Sequence, residues 1–505
     1  MRETEIKLLI DAADAGRIKA HPLLEQLAAK RPYTRQVENR YYDTEDLALA
    51  GQGIALRLRR MGGRWLQTLK RGNAQAVGLH QREEWETPVP RAALNLRGLA
   101  RLLPQEDELA SMLPELSGRL RPRVLTRFRR TLWNLKTPQD DLIEFALDLG
   151  EIIVGKRRLP IAEVELELKA GRVLALYELA RELARDLPLA LGGQGKAERG
   201  FTALRPRPLA AIGSQGAALD VGMNLRAVEL EIMQACLVQI QSNAGILRQI
   251  GGEGELQLAG ECVHQLRVGL RRLRVALKLF APLGSFPETG LAEIRSAAAL
   301  CGPARDWDVL AEQTMAWVPK THRPQGWNAL DQAVRERADD LRKTLAQALD
   351  PWREARWQLE LMAWVLGQQE QPVDCAAKEW ATEMLLQLRV RLAKRGRRVV
   401  RGNETQRHRA RIAAKQLRYA LEFFAPLIED RSSRHRLRAL SGLQDALGRL
   451  NDAAVGDTLL AEMARQRPEL TATCAWVQGW LVAAAERQIA ELDAVWAPVA
   501  KALRR

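Results

Sequence analysis

The chain has 505 residues, 47% hydrophobic and 28% charged, and its 77 Lys and Arg against 62 Asp and Glu give a net charge of +15. A single hydrophobic core does not support this length, so two or three domains are expected. There is no apolar run of the roughly 18 residues that a membrane span needs, and no signal-peptide pattern opens the sequence. The five cysteines are widely spaced, which disfavours disulfides and thiolate metal sites. These features predict a cytoplasmic protein with anionic partners.

The first 200 residues contain repeated segments in which polar and apolar residues alternate, which is the pattern of β-strands with two unlike faces. For any one strand, a sheet with one solvated face is the simplest interpretation. However, some segments present only glutamates, such as Glu3 and Glu5, and others only arginines, such as Arg57 and Arg59. A closed barrel explains this separation, because cations and a polyanion can neutralise opposite interior walls. The sequence therefore predicts an α+β chain that begins with an antiparallel β-barrel and outer helices.

The paired charges also indicate a type of chemistry. Two glutamates at positions i and i+2 of a strand project from one face, so two such strands can present four carboxylates to one or two ions. Mg²⁺ prefers carboxylate oxygens together with water and substrate phosphate, and Mn²⁺ is the alternative. Arginine and lysine on facing strands can bind the phosphate oxygens. Because phosphoryl transfer depends mainly on positioning and charge neutralisation, this set favours chemistry on a phosphate compound.

An ordered series of motifs over residues 1–203 resembles the CYTH family, the triphosphate tunnel metalloenzymes. The series opens with Glu3-x-Glu5-x-Lys7, an ExExK motif that would be weak evidence alone. It continues in order through Tyr41-Tyr42-Asp43-Thr44, Leu56-Arg57-Leu58-Arg59, Thr68-Leu69-Lys70, Arg82-x-Glu84, Arg127-Phe128-Arg129, Asp148, Glu163-Val164-Glu165 and Lys196. The family includes inorganic triphosphatases, thiamine triphosphatase, class IV adenylate cyclases and fungal-type RNA triphosphatases.

The resemblance implies roles for residues of this domain and a Mg²⁺ or Mn²⁺ cofactor. The implied metal ligands are Glu3, Glu5, Glu163 and Glu165, assisted by Asp148 and Glu84. The residues implied to contact substrate phosphate are Lys7, Arg57, Arg59, Lys70, Arg127, Arg129 and Lys196. An alternative ligand pair is Glu165 and Glu167, which we rank second because Ala-Glu-Val-Glu-Leu at 162–166 fits the family pattern better.

A change in patterning marks the end of this domain. Residues 204–217 contain prolines and glycines that end helices, so a linker is predicted there, followed by a helical domain over 218–505. Within that domain, His264-Gln-Leu-Arg267 and His408-Arg-Ala-Arg411 lie 144 positions apart, and Phe-Ala-Pro-Leu recurs at the same spacing. Such a recurrence indicates an internal duplication. We expect two related halves, about 218–360 and 375–505.

Each copy places a histidine and three bases on one helix face, at i, i+3, i+7 and i+10. Between positions 389 and 418 there are twelve Lys or Arg and one acid. A solvated face is the usual explanation of such a row, but like charges this close repel unless an anion binds. The predicted anion-binding residues are His264, Arg267, Arg271, Arg274, His408, Arg411, Lys415 and Arg418. The pattern resembles the CHAD domain, a helical module that commonly follows CYTH and binds inorganic polyphosphate.

Together the resemblances imply an inorganic triphosphatase that binds polyphosphate, with association with polyphosphate granules as a further expectation. An adenylate cyclase or a hydrolase of organic triphosphates is the alternative within the enzyme class. A non-catalytic scaffold that binds polyphosphate or nucleic acid is the alternative of another class. The full set of candidate acidic ligands disfavours the scaffold, and the scarcity of aromatic residues among the bases disfavours nucleic acid.

Overall fold

The computed structural model describes residues 2–61, 63–72, 77–206, 208–251, 256–369, 371, 373, 375–428 and 431–504. The chain divides into two compact units, one of Met1–Leu209 and Asp350–Gly367, the other of Ala210–Leu349 and Gln368–Arg505. The change in sequence patterning near residue 204 lies close to the border at Leu209. The sequence patterns did not predict that 350–367 belongs to the first unit. Within the described ranges, no helix combines the length and apolar character needed to cross a bilayer.

In the described part of Met1–Leu209, nine antiparallel strands form one sheet, and eight of them close into a barrel. The strands are β1 (Arg2–Leu9), β2 (Tyr33–Asp43), β3 (Ile54–Met61), β4 (Arg64–Arg71), β5 (Leu79–Val89), β6 (Arg121–Lys136), β7 (Leu142–Val154), β8 (Arg157–Ala170) and β9 (Ala190–Leu191). They run in the order β5-β4-β3-β2-β6-β7-β8-β1-β9, and pairing of β1 with β5 closes the ring. The predicted antiparallel barrel is confirmed.

Six α-helices accompany the strands among the residues of Met1–Leu209 that the structure describes. They are α1 (Ala15–Lys19), α2 (Pro22–Leu27), α3 (Leu96–Ala100), α4 (Glu108–Glu115), α5 (Val173–Asp186) and α6 (Lys196–Leu204). Helices α3 and α4 share a core with β3 and β4, in which Leu99 and Leu113 pack near Leu56 and Leu69. Helix α5 lies against β1 and β8. The apolar strand face predicted to carry outer helices is therefore covered at these places.

Helix α6 packs against the inner face of the barrel. Phe201 of α6 shares an apolar cluster with Val37 of β2, Phe128 of β6 and Ile152 of β7. These strand residues alternate with outward-facing neighbours and share the inner face with the charged residues described below. At Gly200 of α6, an added Cβ would lie 2.3 Å from the nearest side-chain carbon of β6. One end of the lumen is therefore filled with apolar side chains, and the polar interior is confined to the rest.

The remaining helices are α7 (Leu225–Ile250), α8 (Leu256–Phe280), α9 (Glu288–Val309), α10 (Trp327–Ala348), α11 (Pro351–Gln368), α12 (Ala377–Gly396), α13 (Glu404–Phe423), α14 (Arg431–Gln466), α15 (Thr471–Ala490) and α16 (Leu492–Arg504). All but α11 belong to the second unit. Phe280 and Phe424, at equivalent positions of the two sequence repeats, have ring centroids 6.3 Å apart, and Trp380 stacks on Phe280 at 4.9 Å. The two copies therefore share one core, and the predicted all-helical C-terminal architecture is confirmed.

Polar contacts with α5 explain why most of α11 groups with the barrel. The Nε of Arg356 donates to the backbone carbonyl of Ala184, at 2.8 Å, near the end of α5. Arg181 of α5 forms an ion pair with Glu360 at 3.6 Å. A cation near the last carbonyls of a helix satisfies their hydrogen-bonding capacity and interacts favourably with its dipole.

Candidate functional site

Three carboxylates meet on the inner face of the barrel. Strand register places Asp148 of β7 opposite Glu163 of β8, and Glu165 of β8 opposite Lys7 of β1. Carboxylate oxygens of Asp148, Glu163 and Glu165 lie within 4.8 Å of one another, and the first two residues are fully buried. A compact set of carboxylate oxygens suits a hard divalent cation such as Mg²⁺. The residues present therefore fit the metal that the sequence motifs imply.

Two lysines contact these carboxylates directly. Lys7 Nζ lies 3.2 Å from Glu163 and also contacts Glu165. Lys196 Nζ, at the first residue of α6, lies 2.7 Å from Asp148, 2.5 Å from Glu163 and 3.0 Å from Glu165. The apolar packing of α6 at the filled end of the barrel thus fixes where the ammonium group of Lys196 reaches.

Two arginines complete the set of cations around the cluster. Arg130 of β6, opposite Asp148 in register, donates to both oxygens of that carboxylate at 2.7 and 2.6 Å and also contacts Glu165. Arg199 of α6 lies 3.3 Å from Glu163. A bidentate arginine–carboxylate pair fixes both partners in orientation as well as in charge.

Lys7 and Glu165 both remain charged within this cluster. Burial acts to lower the pKa of Lys7, but attraction to Glu163 and Glu165 outweighs it and raises that pKa well above its usual value. Burial acts to raise the pKa of Glu165, yet Lys196, Lys7 and Arg130 lower it well below its usual range. Lys7 and Glu165 are thus ion-paired at neutral pH.

A second group of lumen charges lies on β1, β3, β4 and β5. Lys70 donates to Glu3 at 2.6 Å and lies 3.4 Å from Glu84. Arg57 also lies 3.4 Å from Glu84. Glu5 lies 3.8 Å from the Nζ of Lys7, between the two groups of charges. Of the predicted metal ligands, the structure therefore gathers Asp148, Glu163 and Glu165, whereas Glu3 and Glu84 are joined through Lys70.

Arg59 faces the lumen with a neutral partner. Its Nε donates to the amide oxygen of Asn39 at 2.9 Å. Burial, followed by repulsion from Arg57 and Arg130, lowers the pKa of Arg59 to about 10. A partly buried cation that is repelled by neighbouring cations is stabilised when an anion binds. The surroundings of Arg59 therefore favour the approach of an anion.

Two residues predicted to contact phosphate do not face the lumen. Arg127 and Arg129 alternate with the inward-facing Phe128 and Arg130, and both are exposed. Arg127 pairs outside with Glu38 at 3.1 Å. Their prediction is corrected, because Arg130 holds the inner position. At this end of the barrel the inner face of β6 carries the apolar Phe128, so the arginines on either side of it in sequence point outward.

The alternative ligand register is not the one the structure assembles. Glu167 is partly exposed and forms an ion pair with Lys169 at 2.6 Å. Burial raises the pKa of Glu167, while its pairing with Lys169 opposes that shift. The three-carboxylate cluster instead contains the pair ranked first, Glu163 and Glu165.

His80 of β5 is a lumen residue that the motifs did not single out. Its buried ring accepts a hydrogen bond at Nδ1 from Arg82, at 2.9 Å, and its Nε2 lies 3.0 Å from the carbonyl oxygen of Gly192. Burial, followed by repulsion from Lys7 and Arg82, lowers the His80 pKa to about 4. The ring is therefore neutral, and its contacts assign the tautomer with hydrogen on Nε2. Its position on the inner face, two residues before Arg82, was the available signal.

In the helical unit, bases from both sequence copies gather into one cationic cluster, defined here as His264, Arg267, Arg271, Arg411 and Lys415. Burial, followed by repulsion from Arg271 and Arg411, lowers the pKa of Lys415 to about 6. Burial, followed by repulsion from Arg305, lowers the pKa of His264, with smaller effects from Arg271 and Lys415. Since α8 and α13 each contribute, the cluster joins the two copies.

Neighbouring polar groups orient parts of the cationic cluster. Arg267 donates to the carbonyl oxygen of Gly302 and to Asp306, both at 3.0 Å. Arg411 donates to Asn451 at 3.1 Å. The two copies therefore hold equivalent arginines through different partners, an acid in the first and an amide in the second.

The other three predicted anion-binding residues have different surroundings. Arg274 and His408 are exposed. Arg418 donates to Glu422 at 2.7 Å and to Gln444 at 3.0 Å. These side chains extend the rows of bases beyond the cationic cluster.

Comparison with known proteins agrees with this architecture. Residues 1–201 match the family model described as the CYTH domain, and residues 231–461 match that of the CHAD domain. The chain therefore belongs to the proteins that carry a CYTH domain followed by a CHAD domain, as the motifs indicated.

Individual relatives cover parts of the chain. Over 166 residues the chain is 34% identical to the inorganic triphosphatase of Haemophilus influenzae, which covers 32% of this chain and 44% of the relative. The chain thus spans a little under half the length of this curated relative. The crystal structure of the CHAD domain from the plant Ricinus communis is similar with a TM-score of 0.52 and 36% identity, covering 57% of this chain and 96% of that one.

Proposed function

We propose that the barrel hydrolyses inorganic triphosphate with the aid of Mg²⁺ or Mn²⁺, and that the helical unit binds inorganic polyphosphate. The enzymatic half rests on one observation, the buried cluster of Asp148, Glu163 and Glu165 in a lumen otherwise rich in cations. Similarity to the inorganic triphosphatase of Haemophilus influenzae supports the choice of substrate.

Each part of the lumen has a role in this proposal. Asp148, Glu163 and Glu165 would hold the cation, which when bound supplies charge neutralisation and lowers the pKa of a coordinated water. Arg59 would bind phosphate oxygens, because its present partner is neutral. Arg130 and Lys196 would stabilise the negative charge that develops during phosphoryl transfer. The enclosing strands would limit water, which strengthens every electrostatic contact inside.

The test compares substrates and metals with the full chain. Phosphate release from triphosphate should require added Mg²⁺ or Mn²⁺ and should stop in excess EDTA, because the carboxylate cluster lacks its cation there. Parallel incubation with ATP should yield no cyclic AMP. Undiminished turnover in EDTA would reject the metal mechanism, and cyclic AMP as the main product would favour the cyclase alternative.

The polyphosphate half rests on the cationic cluster built from α8 and α13. Burial first, and then repulsion from neighbouring arginines, lower the pKa values of Lys415 and His264, so the charged forms of these two residues are disfavoured in the free protein. A linear polyanion that contacts several of these bases would relieve the repulsion. Contributions from both sequence copies suit a ligand that is itself a repeating chain.

Polyphosphate binding should take up protons. In the free protein Lys415 has a pKa of about 6, so it is largely neutral at pH 7.5. A bound polyanion favours the charged ammonium and raises that pKa, so affinity should rise as pH falls from about 8 to 6. Calorimetry at pH 7.5 in buffers of different ionisation enthalpy would measure the uptake. The Lys415→Arg variant carries a side chain that stays charged, so it should bind polyphosphate with less proton uptake. Equal uptake in both proteins would contradict this assignment.

A further inference from the structure

We infer that the divalent cation and triphosphate bind the barrel as a coupled pair, with triphosphate favoured to bind first, because the protein's own cations already neutralise the carboxylate cluster. This inference rests on the proposed function. It adds the order of binding and the dependence of each ligand on the other.

The charges of the cluster are balanced without any ligand. Three carboxylates, Asp148, Glu163 and Glu165, contact three buried cations. Lys7 contacts Glu163 and Glu165, Lys196 contacts all three carboxylates, and Arg130 contacts Asp148 and Glu165. All six side chains are at most 12% exposed. The net charge of this set is zero. It stays zero when Arg199, 3.3 Å from Glu163, and Glu5, 3.8 Å from Lys7, are included.

A divalent cation entering alone meets two obstacles. It must displace ammonium or guanidinium groups from the carboxylate oxygens, since Lys7, Lys196 and Arg130 already use them. It would also leave an excess positive charge in a buried site, and uncompensated buried charge is strongly unfavourable. The cation alone is therefore expected to bind weakly, although the carboxylate geometry suits it.

Triphosphate removes both obstacles. Its oxygens can accept hydrogen bonds from the displaced lysines and Arg130, which releases carboxylate oxygens for the cation. Its negative charge offsets the cation's positive charge. Triphosphate can enter first, because Arg59 offers it a cation whose partner is the neutral Asn39. Each ligand thus strengthens the other, and this coupling is necessarily reciprocal.

Replacing Lys196 changes the net charge of the carboxylate cluster and its cations most directly. A Lys196→Met variant keeps a flexible side chain of similar length at the start of α6 but removes one positive charge. The cluster then carries a net negative charge, and one competitor for all three carboxylates is gone. Mn²⁺ alone should bind this variant more tightly than the unmodified protein. Arg130→Met makes the equivalent change from β6 and provides a second test if the first variant folds poorly.

The experiment measures Mn²⁺ binding to the full chain by electron paramagnetic resonance, alone and with imidotriphosphate, a triphosphate with non-hydrolysable bridges. Free Mn²⁺ is buffered to correct for chelation by the analogue. We expect the analogue to tighten Mn²⁺ binding at least about tenfold in the unmodified protein, within the usual range of coupling. In Lys196→Met, Mn²⁺ alone should bind several-fold tighter, and the enhancement should shrink. Lys136→Met, at an exposed lysine paired with Asp140, should match the unmodified protein.

Equal Mn²⁺ affinity with and without bound analogue would overturn the inference, as would unchanged Mn²⁺ affinity in folded Lys196→Met and Arg130→Met. The measurement needs no turnover. Coupling without triphosphate hydrolysis would therefore support the inference and reject the proposed activity. Failure of the analogue to bind the barrel would reject both.

Discussion

Replacement of Glu163 by glutamine is expected to lower triphosphate turnover at least about 100-fold while the barrel stays folded. The side chain is fully buried and contacts Lys7, Lys196 and Arg199. Glutamine keeps the volume but removes a negative charge from the candidate metal cluster. Loss of one preorganised electrostatic group in an enclosed site commonly costs 10²- to 10³-fold in kcat. Steady-state phosphate release at saturating Mg²⁺ measures the effect.

A matched control separates this effect from a general change in charge. Glu151→Gln makes the same substitution on β7, on the outer face, where Glu151 pairs with the exposed Arg158 at 2.7 Å. Its kcat should stay within about twofold of the unmodified value, since surface pairs contribute little. Near-normal turnover in Glu163→Gln, with Mn²⁺ affinity also unchanged, would show that Glu163 is not part of the metal site.

Charge alternation predicted much of the lumen because it depends on local geometry. Glu3, Glu5, Arg57, Lys70 and the β8 glutamates lie on the inner face as their period of two requires. The same rule failed on β6, which carries arginines on both faces. There the inward-facing Phe128, two residues before Arg130, is apolar and packs in one cluster with Phe201 of α6. The sequence of β6 alone therefore could not show which of its arginines face the lumen, because that depends on where α6 packs.

Other features depended on contacts far apart in sequence. His80 meets Gly192 across 112 positions, and Arg356 of α11 meets Ala184 across 172. No periodic pattern encodes such pairs, because each requires the folded strands or helices to be in place. The repeat in the helical unit did predict that two rows of bases would be equivalent. It did not reveal that Arg274 and His408 would be exposed while Lys415 is enclosed among arginines.

The largest effect on polyphosphate binding is expected from removing the centre of the cationic cluster in both copies. A variant with Arg267→Ala, Arg271→Ala, Arg411→Ala and Lys415→Ala should bind long-chain polyphosphate at least about 100-fold more weakly, since charge-assisted hydrogen bonds contribute about 1.5–3 kcal/mol each. A variant that replaces only Arg267 and Arg271, or only Arg411 and Lys415, should lose less affinity for polyphosphate. The other copy still binds the ligand in each case. Titration of labelled polyphosphate at two salt concentrations measures these affinities.

The salt series and a second double variant distinguish a specific groove from general surface charge. Arg274→Ala with His408→Ala removes two exposed bases from the same two helices and should cause a smaller loss, because solvent and salt screen exposed charges. Binding to the unmodified protein should weaken as salt rises, and the fourfold variant should depend on salt less steeply. Triphosphate hydrolysis should be nearly unchanged, since none of these residues belongs to the barrel unit. The double variant of Arg274 and His408 could lose as much affinity as either single-copy double variant. That result would show that the whole basic surface attracts polyphosphate and that the enclosed position of the cationic cluster gives no advantage.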